Sequence, residues 1–159
     1  MAQQVDARQR RLGSALEGAA VQVAVAESLT GGELAARFAV TPGSAAWFRG
    51  GVVAYSSTVK HALLGVPPGP VVSEQAADAM ARSVCEIMNA DLSVAVTGVA
   101  GPDPQDGEPP GTVWMALRHN GTTETRRLHL PGDPSAVVDA TCEQALEWVI
   151  DRIEDASAA

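Results

Sequence analysis

A serine, a tyrosine and a lysine lie close together in the first half of the chain and could perform nucleophilic chemistry. Lys60 is the one lysine of the sequence, and Tyr55 lies five residues before it. A desolvated lysine has a lowered pKa and can take the proton of a serine hydroxyl, while a tyrosine orients or relays that proton. The candidate nucleophiles are Ser28, Ser44 and Ser56. Serines also cap turns, and a lysine on a helix is usually solvated, so a structural role stays open.

Acidic and imidazole side chains are the second group of candidates. Glu27 and Asp103 could serve acid–base chemistry, although a carboxylate at a strand end often caps a backbone amide. The three histidines, His61, His119 and His129, fall on different predicted elements. We therefore expect no metal site.

A glycine pair follows the first apolar run and predicts a strand-to-helix turn. Val21–Ala26 is typical of a strand buried on both faces. Thr30 and Glu33 have the spacing of a capping box, which predicts a helix that begins at Gly31. With Gly31 and Gly32 at its start, such a helix can bind a phosphate or carboxylate. A tight turn without a ligand is the alternative.

A similar break occurs later in the chain. Asp91–Thr97 predicts another buried strand, and it ends in a turn that contains Thr97, Gly98 and Gly101. Ligands collect at the carboxyl ends of strands in open α/β sheets. We expect this turn to meet Glu27–Gly32 and Tyr55–Lys60 in one site.

Composition limits the classes of partner. The chain has 159 residues and a formal charge of −8, and its pI is near 4.7. The one local basic cluster is Arg8, Arg10 and Arg11, which is too small to indicate nucleic-acid binding. No apolar run reaches the length of a membrane span, so we expect a cytoplasmic protein without membrane contact. Cys85 and Cys142 are predicted to be buried thiols.

The remaining patterns predict a single domain over residues 1–159, with a core of about 7–152. Asn120-Gly121 between two β-prone runs is a strong hairpin signal. Helix–strand alternation followed by a hairpin predicts a three-layer α/β/α sandwich around a mixed sheet. Residues 102–111 are predicted to form an exposed, mobile loop that could act as a lid. Predicted helices occupy 6–19, 31–40, 58–64, 74–89 and 134–152, and Ser57 is the predicted cap of the third. Predicted strands occupy 21–26, 50–55, 91–97, 112–119 and 122–130.

Several short motifs in this chain together resemble those of the CinA C-terminal domain family, whose members include nicotinamide-nucleotide amidases. The resemblance covers roughly residues 7–152. The motifs are Ala26-Glu27-Ser28-Leu29-Thr30-Gly31-Gly32, Pro42-Gly43-Ser44, Phe48-x-Gly50-Gly51, Tyr55-x-x-x-x-Lys60, Thr97-Gly98-Val99-Ala100-Gly101-Pro102, Gly111-Thr112-Val113-Trp114 and Pro131-Gly132-Asp133.

The resemblance implies hydrolysis of the carboxamide of nicotinamide mononucleotide to nicotinic acid mononucleotide and ammonia, without a metal or cofactor. It implies a serine–lysine mechanism in which Lys60 is the base and Tyr55 assists. It also implies that Glu27 and the turns at Thr30–Gly32 and Thr97–Gly101 bind the nucleotide.

The chain departs from the family pattern at two places. The family tends to carry an arginine after the segment that here is Pro131-Gly132-Asp133, and this chain has Pro134, Val138 and Asp139 there, so a phosphate clamp is missing unless Arg126 or Arg127 supplies it. The other departure concerns the nucleophile. The family carries a second serine in its G-S-S-A loop as the nucleophile, and here that position is Ala45. Ser44 and Ser28 are the alternatives. Three functions therefore compete: an amidase, a nucleotide-binding or regulatory domain that has lost catalysis, and a structural or oligomer-forming protein. Small residues on the helix faces predict a homo-oligomer of unspecified order.

Overall fold

The computed structural model describes residues 5–158. In chain order the elements are α1 (Ala7–Glu17), β1 (Val23–Glu27), α2 (Glu33–Ala39), a 3₁₀ turn (Ser44–Ala46), β2 (Phe48–Val53), α3 (Ser57–Leu64), α4 (Glu74–Ile87), β3 (Leu92–Gly98), β4 (Thr112–His119), β5 (Thr122–His129) and α5 (Pro134–Ala158). None of the helices in this part of the chain is long and apolar enough to cross a membrane.

One mixed sheet organises the fold, with the strand order β2-β1-β3-β4-β5. β1 pairs in parallel with both β2 and β3, whereas β4 is antiparallel to β3 and to β5. The central strands β1 and β3 are buried along their whole length, as expected of parallel strands that are covered on both faces. The predicted mixed sheet is confirmed.

Helices cover both faces of this sheet. Leu12 of α1, Phe38 of α2 and Ile150 of α5 belong to one apolar cluster, which contains Val25 and its neighbours on the sheet. The second cluster, on the opposite face, joins α3 and α4 to small residues of the sheet and includes Leu64 and Met80. The arrangement is the predicted three-layer α/β/α sandwich.

Local signals in the sequence explain several of these boundaries. Ser73 caps α4 by accepting the amide hydrogen of Ala76 at 3.1 Å, and Asp133 accepts that of Ala136 at 2.9 Å at the start of α5. Asn120 and Gly121 both have positive φ in the β4–β5 turn, as a two-residue hairpin requires.

The structure corrects four predictions about local structure. α3 is capped by Ser56 rather than by Ser57. α2 begins at Glu33 rather than Gly31 and has no capping hydrogen bond from Thr30. α5 extends to Ala158 rather than about Arg152. Cys142 is buried as expected, but Cys85 is only partly buried, because it lies at the edge of the packed face of α4.

Candidate functional site

A cavity lies where the carboxyl ends of β1 and β3 meet, at the end of the sheet that the sequence predicted for a ligand. Its volume is about 140 Å³. Because β1 and β3 are neighbouring parallel strands, the turns that follow them emerge side by side. The cavity is lined by Ser28, Leu29, Tyr55, Lys60, Val71, Val72, Thr97, Gly98, Val99, Ala100, Gly101, Asp103 and Gln105.

Lys60 lies on α3 and turns into the protein rather than into solvent. Ser56 caps this helix by accepting the amide hydrogen of Thr58 at 3.1 Å, and Gly65 ends it in the left-handed conformation. The Lys60 side chain is 2% exposed, and its Nζ donates to the carbonyl oxygen of Tyr55 at 3.2 Å. The amine of Lys60 is therefore shielded from the water that usually surrounds a lysine on a helix.

Burial lowers the pKa of the Lys60 amine from its ordinary value, and the negative charge of Asp106 opposes part of that change. No carboxylate forms an ion pair with this amine within residues 5–158. A buried amine without a direct counter-ion favours its neutral form, which is the form that accepts a proton.

Ser28 is the serine that the fold brings to the same cavity as Lys60. It follows the last residue of β1 and is 6% exposed. Its backbone carbonyl accepts the amide hydrogen of Gly31 at 3.1 Å, while its hydroxyl makes no hydrogen bond to the described part of the chain. Tyr55 also lines the cavity and is 73% exposed, so it lies at the mouth.

Glu27 has a different role from the one expected of a ligand-binding group. Its side chain is fully buried. One carboxylate oxygen accepts hydrogen bonds from the Thr30 hydroxyl at 2.5 Å, the Gly32 amide at 3.1 Å and the Leu34 amide at 2.9 Å. The other oxygen accepts from the Ala35 amide at 2.9 Å. The carboxylate of the strand end thus caps α2.

The start of α2 consequently has no free amide for an external anion. The amides of Gly31 and Glu33 donate to the backbone carbonyls of Ser28 and Thr30, and those of residues 32, 34 and 35 donate to Glu27. Gly31 and Gly32 have φ of 57° and 106°, which explains their identity without a ligand. The predicted capping box of Thr30 and Glu33 is wrong because Glu27 occupies its place.

The turn after β3 lines the cavity as predicted. Thr97 donates its hydroxyl hydrogen to the carbonyl oxygen of Val71 at 2.7 Å, which joins β3 to the wall opposite. Gly98 has no room for a side chain, because a Cβ would lie 2.7 Å from the carbonyl oxygen of Thr112. Gly101 has a φ of 99°. These three residues shape the floor of the cavity.

Residues 102–111, the segment predicted to be an exposed, mobile lid, are joined to the rest of the protein through two carboxylates. Asp106 accepts the amide hydrogens of Val71 and Val72 at 2.8 and 3.0 Å. Glu108 accepts a hydrogen bond from Arg127 at 2.8 Å. Asp106 was not among the predicted site residues, yet its carboxylate positions two cavity residues more than thirty places away in the chain.

Ser44 and Ala45 lie at the opposite end of the sheet from Lys60. They precede β2, whereas Lys60 follows it, and the pairing of Val23 with Phe48 shows that β2 begins at the amino end of β1. A six-residue strand spans about 20 Å. The Ser44 hydroxyl donates to the carbonyl oxygen of Ala39 at 2.7 Å. Within one chain the fold brings Ser28, and not Ser44, to the lysine.

Ser56 and His61 have structural partners, while Asp103 lines the cavity. Ser56 is the cap of α3, and the ring of His61 bonds the carbonyl oxygen of Val66. Across residues 5–158 no three His, Cys, Asp or Glu side chains are grouped so that they could hold a metal ion. Arg8 and Arg11, of the basic cluster, form ion pairs with acidic residues of α5.

Comparison with known proteins adds the family to this geometry. The model of the CinA C-terminal domain matches residues 5–153. The chain belongs to the CinA C-terminal domain family. A CinA-like protein of Frankia casuarinae is 43% identical over 132 residues, which is 80% of this chain and 30% of the relative. A putative competence-damage inducible protein of Desulforudis audaxviator is 42% identical over 147 residues, 89% of this chain and 36% of the relative.

Solved structures of the CinA superfamily share the fold along most of their length. The protein from Enterobacter cloacae has a TM-score of 0.88 and 34% identity, with 92% of this chain and 90% of that chain covered. A Klebsiella pneumoniae protein has a TM-score of 0.90 and 32% identity, with 96% and 99% covered. The chain spans about a third of the length of the curated relatives it matches.

Proposed function

We propose that this chain hydrolyses the carboxamide of a nicotinamide nucleotide, with nicotinamide mononucleotide as substrate and nicotinic acid mononucleotide and ammonia as products. The observation that carries the proposal is Lys60, an amine buried without an ion pair, in the same cavity as the unbonded hydroxyl of Ser28. A lysine with a lowered pKa that shares a cavity with a serine can activate that serine as an oxygen nucleophile without a metal.

The reaction then divides into two steps. Lys60 takes the Ser28 proton as the serine oxygen bonds to the carboxamide carbon, and the protonated amine returns that proton to the nitrogen as the C–N bond breaks and ammonia leaves. Water, deprotonated by Lys60, attacks the resulting ester, and the proton passes to the departing Ser28 oxygen, which regenerates both groups. Tyr55, at the cavity mouth, lies where the rest of the substrate enters.

Backbone amides of the turn after β3 can stabilise the oxyanion that forms in each step. Ala100 and Gly101 line the cavity, and their amides donate no hydrogen bond to the described part of the chain. Preorganised amides aimed at a developing negative charge commonly contribute several kcal/mol to catalysis. The proposal assigns them this role, with Thr97 and Gly98 shaping the ring pocket.

The cavity size fits one end of the substrate. Ligand pockets are usually between about 300 and 1,000 Å³, so a cavity of about 140 Å³ accepts the pyridine ring and its carboxamide, while the ribose phosphate lies outside. Arg126 and Arg127 are engaged with Trp148 and Glu108. A phosphate clamp within this chain is therefore not part of the proposal.

A nucleotide-binding domain without catalysis is the second candidate. Ala45 has no hydroxyl, and it lies at the far end of β2 from Lys60. If Ser28 is not reactive, the same cavity would bind the nucleotide and leave it unchanged. Nucleotide binding without release of ammonia would favour this function.

Release of ammonia and nicotinic acid mononucleotide from nicotinamide mononucleotide tests the proposal. We expect turnover in the wild type and a loss on the order of 10³-fold or more in Lys60→Met and in Ser28→Ala. Ser57→Ala, an exposed serine on the same helix as Lys60, is the matched control and should retain activity. Turnover that survives Ser28→Ala but disappears in Ser44→Ala would overturn the assignment of the nucleophile.

A further inference from the structure

A negative charge without a partner lies at the rim of the Lys60 cavity. Residues 102–111 carry three carboxylates, which belong to Asp103, Asp106 and Glu108. Glu108 forms an ion pair with Arg127 at 2.8 Å, which balances its charge. Neither aspartate forms an ion pair in the described part of the chain. The segment therefore contributes net negative charge where it borders the cavity.

Asp103 is the acidic residue of this segment that lines the cavity. It is exposed. The side-chain hydrogen bonds that residues 102–111 accept belong to Asp106 and Glu108, and Asp103 takes part in none with the residues that the structure describes. The carboxylate of Asp106 holds backbone amides in place, whereas that of Asp103 has no such structural role. It is therefore available to a ligand in the cavity.

The rest of the lining adds no lasting positive charge. Lys60 is the only other lysine, arginine, aspartate or glutamate among the described residues that line the cavity. Burial lowers the pKa of its amine, which favours the neutral form. Tyr55 supplies an aromatic ring at the mouth, and aromatic rings attract cations. With Lys60 neutral, the charge of Asp103 favours a positively charged ligand.

We infer that the cavity selects its ligand by the positive charge of a pyridinium ring, and that Asp103 is the residue that determines this selectivity. The inference rests on the proposed function in taking a nicotinamide ring as the ligand. The ring nitrogen bears the ribose in the nucleotide and is then a permanent cation. Free nicotinamide and the reduced 1,4-dihydro nucleotide have uncharged rings. The site should therefore discriminate against both neutral forms.

The size of the cavity brings the ring nitrogen to the rim. A cavity of about 140 Å³ accepts the ring and its carboxamide but leaves the ribose phosphate outside. The nitrogen that joins the ring to the ribose must then lie toward the mouth, where Tyr55 and Asp103 are exposed. The carboxamide, on another ring atom, lies toward the buried Lys60. One orientation thus satisfies both the reacting group and the ring charge.

The same negative charge acts on the product. Hydrolysis converts the neutral carboxamide into a carboxylate, so the ring with its substituent changes from a cation to a zwitterion without net charge. Asp103 attracts the ring nitrogen as before but repels the new carboxylate. The product should therefore bind more weakly than the substrate, which favours its release.

Binding to a protein without the Ser28 hydroxyl tests the inference apart from turnover. In a Ser28→Ala background, isothermal titration calorimetry compares nicotinamide mononucleotide with its 1,4-dihydro form, which has the same ribose phosphate and an uncharged ring. We expect the oxidised form to bind about fivefold more tightly or better, the effect of an exposed charge pair. With Asp103→Asn added, the two affinities should agree within about twofold. 1-Methylnicotinamide and nicotinamide, a pair without phosphate, should behave in the same way.

Two further variants separate charge from shape. Asp155→Asn removes an exposed carboxylate of α5 that does not line the cavity, and it should keep the selectivity. Gln105→Lys adds a positive charge to the cavity lining and leaves Asp103 in place. It should weaken binding of the oxidised nucleotide more than binding of the reduced one. A change of cavity shape alone would weaken both ligands alike and leave the ratio of their affinities unchanged.

The ratio of the two affinities decides the inference. Equal binding of the two nucleotide forms to the Ser28→Ala protein, binding of neither, or a ratio that Asp103→Asn leaves unchanged overturns it. An unchanged ratio together with a fall in kcat would make Asp103 an acid–base group instead. Release of ammonia by the wild type decides the proposed function separately. Selectivity that depends on Asp103, without release of ammonia, would refute the amidase and leave the inference standing.

Discussion

Replacement of Glu27 tests whether this carboxylate is the cap of α2 or a group that binds ligand. It is fully buried and accepts four hydrogen bonds, three on one oxygen and one on the other. Glu27→Gln can keep the oxygen that accepts three, but its amide group then faces the N–H of Ala35. A hydrogen bond to a charged group contributes about 1.5–3 kcal/mol, so we expect a loss of about 2 kcal/mol in unfolding free energy.

Glu27→Ala removes all four acceptors at once. The Thr30 hydroxyl and the Leu34 amide are buried, and each unsatisfied buried donor costs about 1–3 kcal/mol. We expect a total loss of about 4 kcal/mol, which is near the upper limit for single substitutions and a large part of the stability of a typical domain.

Urea unfolding, followed by circular dichroism, measures both losses. Glu33→Gln is the matched control, because it lies on the same helix and its partly exposed ion pair with Arg37 contributes at most about 1 kcal/mol. The reasoning is refuted if Glu27→Gln unfolds at the wild-type midpoint. Unchanged stability together with weaker nucleotide binding would restore the ligand-binding role that the sequence suggested.

Three further substitutions address the cavity. Lys60→Met should abolish turnover and raise the free energy of unfolding. Burial lowers the pKa of Lys60 in the folded state below its value in the unfolded state, so the unfolded state binds more protons at pH values between these two pKa values. The gain in unfolding free energy, measured in urea, should therefore be largest at low pH and shrink as the pH rises from the folded-state to the unfolded-state pKa. Asp106→Asn keeps an oxygen that accepts the amide hydrogens of Val71 and Val72 but removes the negative charge that raises the pKa of Lys60. The rise of kcat/KM with pH should therefore move to lower pH, and an unchanged pH profile would contradict an effect of Asp106 on Lys60. Gly98→Ala should lower the melting temperature, at a cost of about 1–3 kcal/mol, because its Cβ would lie 2.7 Å from the Thr112 carbonyl oxygen, whereas Gly18→Ala, with no atom within 4 Å of its Cβ, should not.

Signals that lie within a few residues of one another predicted the fold well. The Asn120-Gly121 hairpin, the Ser73 cap and the Asp133 cap each depend on local backbone geometry, and all three are present. The meeting of the turns after β1 and β3 was also predictable, because neighbouring parallel strands end at the same edge.

Features that depend on distant contacts were not predictable in this way. The Thr30–Glu33 spacing satisfies a capping box, but Glu27 reaches four donors from the strand end and displaces it. The acidic composition of residues 102–111 indicated mobility, whereas Asp106 bonds two amides that are distant in sequence. In both cases the carboxylate accepts hydrogen bonds that sequence spacing did not predict: Glu27 is buried and Asp106 is exposed.

The position of Ser44 follows from chain order once β2 is recognised as one strand. Residues before and after a strand lie at its opposite ends, so a serine on one side cannot meet a lysine on the other within the same chain. The serine that this chain offers to Lys60 is therefore Ser28, which follows β1 and lines the same cavity. Because Lys60 is buried and forms no ion pair within residues 5–158, the effect of Ser28→Ala on turnover decides whether these two residues are the reacting pair.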